Sequence, residues 1–219
     1  MNKKIKKPWP TKAAMAQIYQ QHLWGGNTHD FYSGSGSHNP EIVESYLKVV
    51  IQFLKTQKPP LVVCDLGCGD FNIGKQLVPF SQKYIGIDIV DNLIDRNNKL
   101  FKADNLEFHC LDIAKDLLPK ADCVILRQVL QHISNAEIEH IVTKLSNYKY
   151  IIITEHIPKG AFTPNKNIIS GQGIRIKQNS GVNLLTAPFN LKIKEEKILD
   201  EYIVKENKGC IVTTLYQVF

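Results

Sequence analysis

The feature that most constrains this chain is the stretch 61–71, which reads Leu-Val-Val-Cys-Asp-Leu-Gly-Cys-Gly-Asp-Phe. An apolar run that ends in an acid and meets two glycines reads as a fully buried strand stopping at a tight turn. Gly67 and Gly69 let the backbone reverse, and they admit a ligand where a Cβ would obstruct it. Further apolar runs follow at 84–88, 106–112, 121–126 and 150–154, with helical patterns between most of them. This alternation predicts a parallel sheet with helices on both faces. Ligands on such sheets bind beyond the carboxyl ends of the strands. Asp65, Asp88 and Asp112 all fall at or beside such ends.

The turn also discriminates between ligands. A dinucleotide fingerprint reads G-x-G-x-x-G, and its third glycine allows close packing beside a pyrophosphate. Here that position is Asn72. Asp65, two residues before Gly67, would face a diphosphate badly, yet it suits a ligand carrying an ammonium and a sulfonium. S-adenosylmethionine (SAM) is such a ligand. Asp88 lies 19 positions after Gly69, close to the roughly 20 expected of an acid that takes ribose hydroxyls.

On these residues the chain resembles the class I SAM-dependent methyltransferases. The resemblance implies that Asp65 and the glycine turn hold the methionine part of SAM, Asp88 the ribose hydroxyls and Asp112 the adenine amino group. Cys68, Ile89 and Ile113, beside these positions, are expected to line the same site. The family often has a third glycine where this chain has Phe71. A bacterial subgroup carries Cys-Gly-Asp-Phe there, and similarity to it extends over Trp24-Gly25, the Ser-Gly-Ser-Gly-Ser segment 33–37, Arg127, His132-Ile133-Ser134, Pro188-Phe189-Asn190 and Thr214-Leu215-Tyr216. The implied fold is a Rossmann-like, seven-stranded, mostly parallel sheet with a C-terminal antiparallel hairpin. Residues 1–58 are expected to form a helical extension and lid, and 59–219 the methyltransferase domain.

Bulk properties narrow the partners. The formal charge of +6 is concentrated at Lys3, Lys4, Lys6 and Lys7, a solvated tail. Arginine is confined to Arg96, Arg127 and Arg175, unlike the clustered Arg and Lys of nucleic-acid surfaces. No apolar run approaches the ~20 residues of a membrane span, and the basic start lacks the apolar stretch of a secretory signal. Cys64, Cys68, Cys110, Cys123 and Cys210 are odd in number and lie in predicted strands or the turn. Such a set reads as free thiols in a reducing compartment, hence the cytoplasm. Cys64 and Cys68 have no second pair at zinc spacing, and no metal site is expected.

Along the chain, residues 10–23 predict a helix ended by Gly25-Gly26, followed by a Gly-, Ser- and His-rich loop over 27–39. Asn39-Pro40 reads as an N-cap with Pro at the first helical position. Ile42, Tyr46, Val49, Val50 and Phe53 form one apolar stripe up to Pro59-Pro60. Ser134 and Glu137 read as a capping box. The irregular stretch 158–190 has the length of a functional lid or a disordered segment. Two strands, 198–204 and 210–219, joined through 205–209, are forced antiparallel.

Methyl transfer from a sulfonium is an in-line displacement, in which alignment is worth roughly 7–11 kcal/mol. A general base contributes about 10²–10⁴-fold when the nucleophile is a hydroxyl. His132, just after the fourth strand, is the candidate base, against a structural histidine before the next helix. Glu155 and His156, after the fifth strand, are candidate substrate contacts, against a solvated pair. Arg175 is a candidate clamp for a carboxylate or phosphate, against a surface arginine. Arg127 would shape the methionine end through its backbone or bind an acidic substrate through its side chain. Gly36 and Ser37, within 34–37, would form a backbone nest for the methionine carboxylate, and Trp24 with Tyr32 would cover the cofactor. The absence of an N/D-P-P-Y/F/W motif, a Pro-Cys nucleophile and a magnesium-holding Asp after the fourth strand leaves metal-independent O- or N-methylation of a small molecule or glycan. The alternatives are a non-catalytic module binding SAM or a nucleoside, which Phe71 would favour, and an NAD enzyme.

Overall fold

The computed structural model describes residues 8–26, 30–204 and 209–219. The basic tail 1–7, part of the Gly/Ser/His-rich loop (27–29) and most of the hairpin connection (205–208) lie outside the described residues. Seven strands form one sheet: β1 (Val62–Leu66), β2 (Lys83–Asp88), β3 (Leu106–Cys110), β4 (Cys123–Arg127), β5 (Tyr150–Ile157), β6 (Glu195–Ile203) and β7 (Cys210–Gln217). Their order is β3-β2-β1-β4-β5-β7-β6. β1 to β5 pair in parallel. β7 runs antiparallel between β5 and β6, as the sequence predicts. The chain steps outward from β1 to β3, then returns to lay β4 against the other side of β1. That reversal opens a crevice beyond the carboxyl ends of β1 and β4.

Side chains alternate across β1, so the sheet feeds two cores. Cys64 and Leu66 pack with Ile138, Ile141 and Leu145 of α4 (Asn135–Leu145). Val63 packs on the opposite face with Tyr46, Val50 and Leu54 of α2 (Pro40–Thr56). The predicted N-cap is present: the Asn39 side chain accepts from Glu41 N at 3.0 Å, with Pro40 opening the helix. α1 (Thr11–Gln20) is shorter than the sequence pattern predicts. It contributes Met15, Ile18 and Tyr19 to a third cluster with Leu93 of α3 (Asp91–Leu100).

Two departures matter for the site. Between β1 and β2 the described residues form only short 3-10 turns, Gly74–Gln76 and Val78–Phe80. Pro79 interrupts any longer helix there because it lacks an N–H. β5 runs three residues beyond the predicted 150–154, because β7 pairs with it through Glu155, His156 and Ile157. Glu155 is therefore a buried strand residue, not a solvated loop acid.

Phe71, where related chains often have glycine, adopts a φ of +64°. Left-handed backbone costs a non-glycine residue about 1–2 kcal/mol. The ring is fully buried against Tyr84, Phe101 and Phe108, with centroids 5.7, 5.1 and 4.7 Å away. Burying a phenylalanine contributes about 1.5–3 kcal/mol, enough to offset the strain. The turn thus keeps the glycine conformation with a core anchor in place of glycine.

Candidate active site

The floor of the site is the turn after β1. Gly67 N and Cys68 N both donate to Ile87 O at 2.8 Å, binding the turn to the end of β2. Gly67 and Gly69 have φ of +82° and +56°. Asp88 ends β2, and its two oxygens accept from Gly69 N and Val90 N, each at 3.1 Å. Burial pushes this carboxyl up to about 6, against the pull of those N–H groups. Asp112 accepts from Ala114 N at 3.0 Å and pairs with Lys115 at 2.7 Å. Asp88, Ile89, Asp112, Ile113, Gly67, Cys68 and Gly69 share the wall of one cavity of about 510 Å³, within the size range of small-molecule sites.

Asp65 departs from its expected place. It is not on the cavity wall; its carboxylate is buried and accepts the Tyr84 hydroxyl at 2.8 Å. Burial pushes it up to about 7, and the Arg127 charge opposes that shift.

Two segments partly cover the cavity. The first descends from α1 and includes Trp24 and residues 33–37. Asp70, next to the glycine turn, fastens it: one carboxylate oxygen takes Ser33 N at 2.8 Å and His38 Nε2 at 2.6 Å. Asp70 N donates back to Ser33 Oγ at 2.8 Å, and Asn72 Nδ2 donates to Ser37 O at 2.8 Å. Arg127 reaches up from the end of β4 to Gly36 O at 2.6 Å and Ser37 Oγ at 3.3 Å. Gly36 also passes close to the Gln128 amide: a Cβ there would come within 2.2 Å of Gln128 Oε1, so that side chain would have to move aside. Trp24 packs edge-on to Tyr19 at 5.3 Å and against His132 at 5.1 Å.

The second cover is the stretch 158–190. Asn165 organises it, donating from Nδ2 to Asn183 O and Ala187 O at 2.8 and 2.9 Å and accepting from Asn183 N at 2.8 Å. Gly173, Ile174 and Lys177 of this cover reach the cavity wall. The two covers meet where Gln172 Nε2 donates to Leu23 O at 2.8 Å.

His132 lies on the wall, on a 3-10 turn, Leu130–His132, just after β4. A carbonyl oxygen only accepts, so the 3.2 Å contact from His132 Nδ1 to Gly171 O places the ring proton on Nδ1. Nε2 is then the lone-pair nitrogen, 3.3 Å from the Gln131 amide nitrogen. Burial lowers this imidazole to about 4, so it rests neutral. Two predicted substrate residues brace this turn. Glu155 accepts from Leu130 N and Gln131 N, both at 2.9 Å. Burial pushes Glu155 up to about 8, against those donors and the Arg175 charge. Arg175 is 1% exposed and donates to Lys166 O, Leu130 O, Ile133 O and Asn135 Oδ1 at 2.7–2.9 Å. With those donors committed and the residue off the cavity wall, Arg175 is a strut of the fold and not a substrate clamp. Glu155 is likewise off the wall, whereas His156 is on it.

Three wall residues have a buried donor with no partner among the described residues: Trp24 Nε1, Arg127 Nε and Gln128 Nε2. Unpaired buried donors are costly, so they suit a ligand that supplies acceptors. Beside the glycine turn and the Asp88 carboxylate, they fit the carboxylate and ribose hydroxyls of SAM. Sequence reasoning missed Asp70, His38, Asn72 and Tyr19. Asp70 was within reach, as an acid directly after the glycines, but its partners lie more than thirty positions away.

Fold and site together define a class I methyltransferase architecture. A family model described as a methyltransferase domain matches residues 57–182, and the chain belongs to that family. Among solved structures, the N-methyltransferase NodS from Bradyrhizobium japonicum WM9, in complex with S-adenosyl-L-homocysteine (SAH), superposes with a TM-score of 0.65 at 11% identity, covering 93% of this chain and 98% of that one. Human N-acetylserotonin methyltransferase, in complex with SAM, gives 0.60 at 18% identity over 95% of this chain and 60% of its own. Magnesium protoporphyrin IX methyltransferase from Synechocystis PCC 6803, with bound SAH, gives 0.57 at 16% identity over 95% and 100%. These likenesses show the fold. An uncharacterized RNA methyltransferase from Clostridium tetani (strain Massachusetts / E88) is 29% identical over 110 residues, 48% of this chain. The chain spans about a quarter (24%) of that relative's length. Among the described residues no helix is long and apolar enough to cross a membrane.

Proposed function

We propose that this protein transfers the methyl group of SAM to an oxygen or nitrogen of a small molecule or glycan, without a metal. The observation that carries the reading is the Asp88 carboxylate, held at the cavity by Gly69 N and Val90 N. When bound, SAM supplies an electrophilic methyl on a positively charged sulfur. Asp88 would accept its ribose hydroxyls and Asp112 its adenine amino group. Arg127, Gln128 and Trp24 would direct their unpaired donors to its carboxylate, beside Gly36 and Ser37. Shielding of the methyl group by the covers would favour a transition state in which charge disperses. His132 is the base for a hydroxyl acceptor: its Nε2 lone pair takes the proton while Nδ1 stays bonded to Gly171 O. His156 faces the same space. Solved structures with bound SAM or SAH share this fold, and two of them are named for small-molecule acceptors, N-acetylserotonin and magnesium protoporphyrin IX, which supports the substrate class.

Titration calorimetry tests the reading. SAM and SAH should bind and NAD should not. Asp88→Ala should weaken SAH about ten- to a hundredfold, the scale of a hydrogen bond to a charged group. Indifference to both adenosyl ligands would overturn the assignment.

A further inference from the structure

The Glu137 carboxylate is a junction where three chain segments converge. It accepts hydroxyls from Thr11 on α1, from Ser134 at the cap of α4 (2.6 Å) and from Ser170 in the second cover. A capping box would return this carboxylate to Ser134 N. Here Ser170 Oγ takes Ser134 N instead, at 2.8 Å. A cap needs only Ser134; Thr11 and Ser170 lie 126 and 33 positions from Glu137, Thr11 on the helix from which the first cover descends and Ser170 in the second cover. Glu137 itself lies on the cavity wall. Its hydroxyl donors hold its carboxyl below the usual range despite partial burial, consistent with an ionised group taking several O–H bonds.

Both arms from this junction lead to His132. Along one, Ser170 adjoins Gly171, whose N–H donates to His132 O at 3.0 Å and whose carbonyl takes His132 Nδ1–H at 3.2 Å. Along the other, Thr11 opens α1, whose Tyr19 packs on Trp24, and Trp24 on the His132 ring. We infer that Glu137 is a positioning residue: it clasps the two covers together over the cavity and, through them, fixes the orientation and tautomer of His132. The inference rests on the proposed function only for what His132 does, since the clasp is defined by contacts within the chain.

The experiment reads the clasp without knowing the acceptor. Hydrogen exchange and ¹⁵N imidazole spectra are recorded for wild type, Thr11→Val, Ser170→Ala and Glu137→Gln, with and without SAH. Glu137 is the acceptor that Thr11 and Ser170 share, while the Gln172–Leu23 and Trp24–His132 contacts stay in place in both variants. A clasp therefore predicts that Thr11→Val speeds exchange about tenfold in residues 166–173, and that Ser170→Ala does so in 12–20, the scale of one charge-assisted bond. His132 should pass from a single Nδ1–H tautomer to a mixture in both variants. Ser170→Thr, which keeps the hydroxyl, should restore both signals. Faster exchange confined to each variant's own segment, or an unchanged His132 tautomer, would overturn the clasp. Intact melting curves separate these outcomes from misfolding. If wild type fails to bind SAH, the proposed function fails while the exchange result still decides the clasp.

Discussion

The floor and the roof of the cavity are held together in different ways. The floor is made of strand ends and one turn. Its key bonds join neighbouring strands, Gly67 and Cys68 to Ile87 and Gly69 to Asp88. The roof is two irregular segments held by side chains that reach across the chain, above all Asp70, Arg127, Asn165, Arg175 and Glu137. The contrast is that a parallel sheet supplies a binding floor from its own hydrogen bonding, whereas a lid without regular structure must satisfy its backbone through polar side chains. Breaking a roof strut should therefore cost stability out of proportion to its distance from the ligand. Arg175→Met leaves the carbonyls of Leu130, Ile133 and Lys166 without this donor and removes a charge that faces Glu155. Removing one partner from such a buried arrangement costs about 3–5 kcal/mol, to be read from urea unfolding. A loss under about 1 kcal/mol would mean that Arg175 does not hold the second cover in place.

Asp70 is where floor and roof join. It sits in the glycine turn yet bonds Ser33 and His38. Asp70→Ala should leave the sheet intact and release the first cover. SAH affinity should then fall by about 1.5–3 kcal/mol, the scale of bonds to a charged acceptor, measured by calorimetry. Exchange should quicken across 31–38 while β1 and β2 stay protected. Unchanged affinity would mean that the floor binds the cofactor unaided, and that the roof serves the acceptor alone.

The same division explains what could be read from the chain. The floor was legible because strand, turn and acid follow one another within a few residues, and because Asp88 follows Gly69 at the spacing a ribose contact requires. The hairpin was legible because two short strands joined by a brief connection run antiparallel. For Asp65 spacing gives position along a strand but not where its side chain points; the structure gives its carboxylate to the Tyr84 hydroxyl. Glu155 and Arg175 were misread because only β7 pairing and the path of 158–190 bury them, and both depend on residues far away in sequence. Phe71 reads as a degenerate glycine until its aromatic neighbours are assembled.

The smallest expected effect concerns His132, a titratable ring that both covers touch. His132 is held neutral, its folded value near 4 against an unfolded 6.5. As pH falls through that window the unfolded chain takes up the proton and the folded chain does not, so folding loses stability. The buried carboxyls of Asp65, Asp88 and Glu155, pushed up to about 7, 6 and 8, act in the opposite direction. Their folded forms keep protons that the unfolded chain releases, and this contribution is lost as pH rises through those values. Comparison with His132→Gln cancels the carboxyl contribution. Between pH 6 and pH 5 wild type should lose about 1 kcal/mol relative to that variant, from a slope approaching 1.4 kcal/mol per unit. Urea unfolding at the two pH values measures it. Equal slopes would mean that His132 titrates as it does in the unfolded chain, with the roof open above it. A larger slope in wild type would show the second cover shut over the ring without any ligand bound.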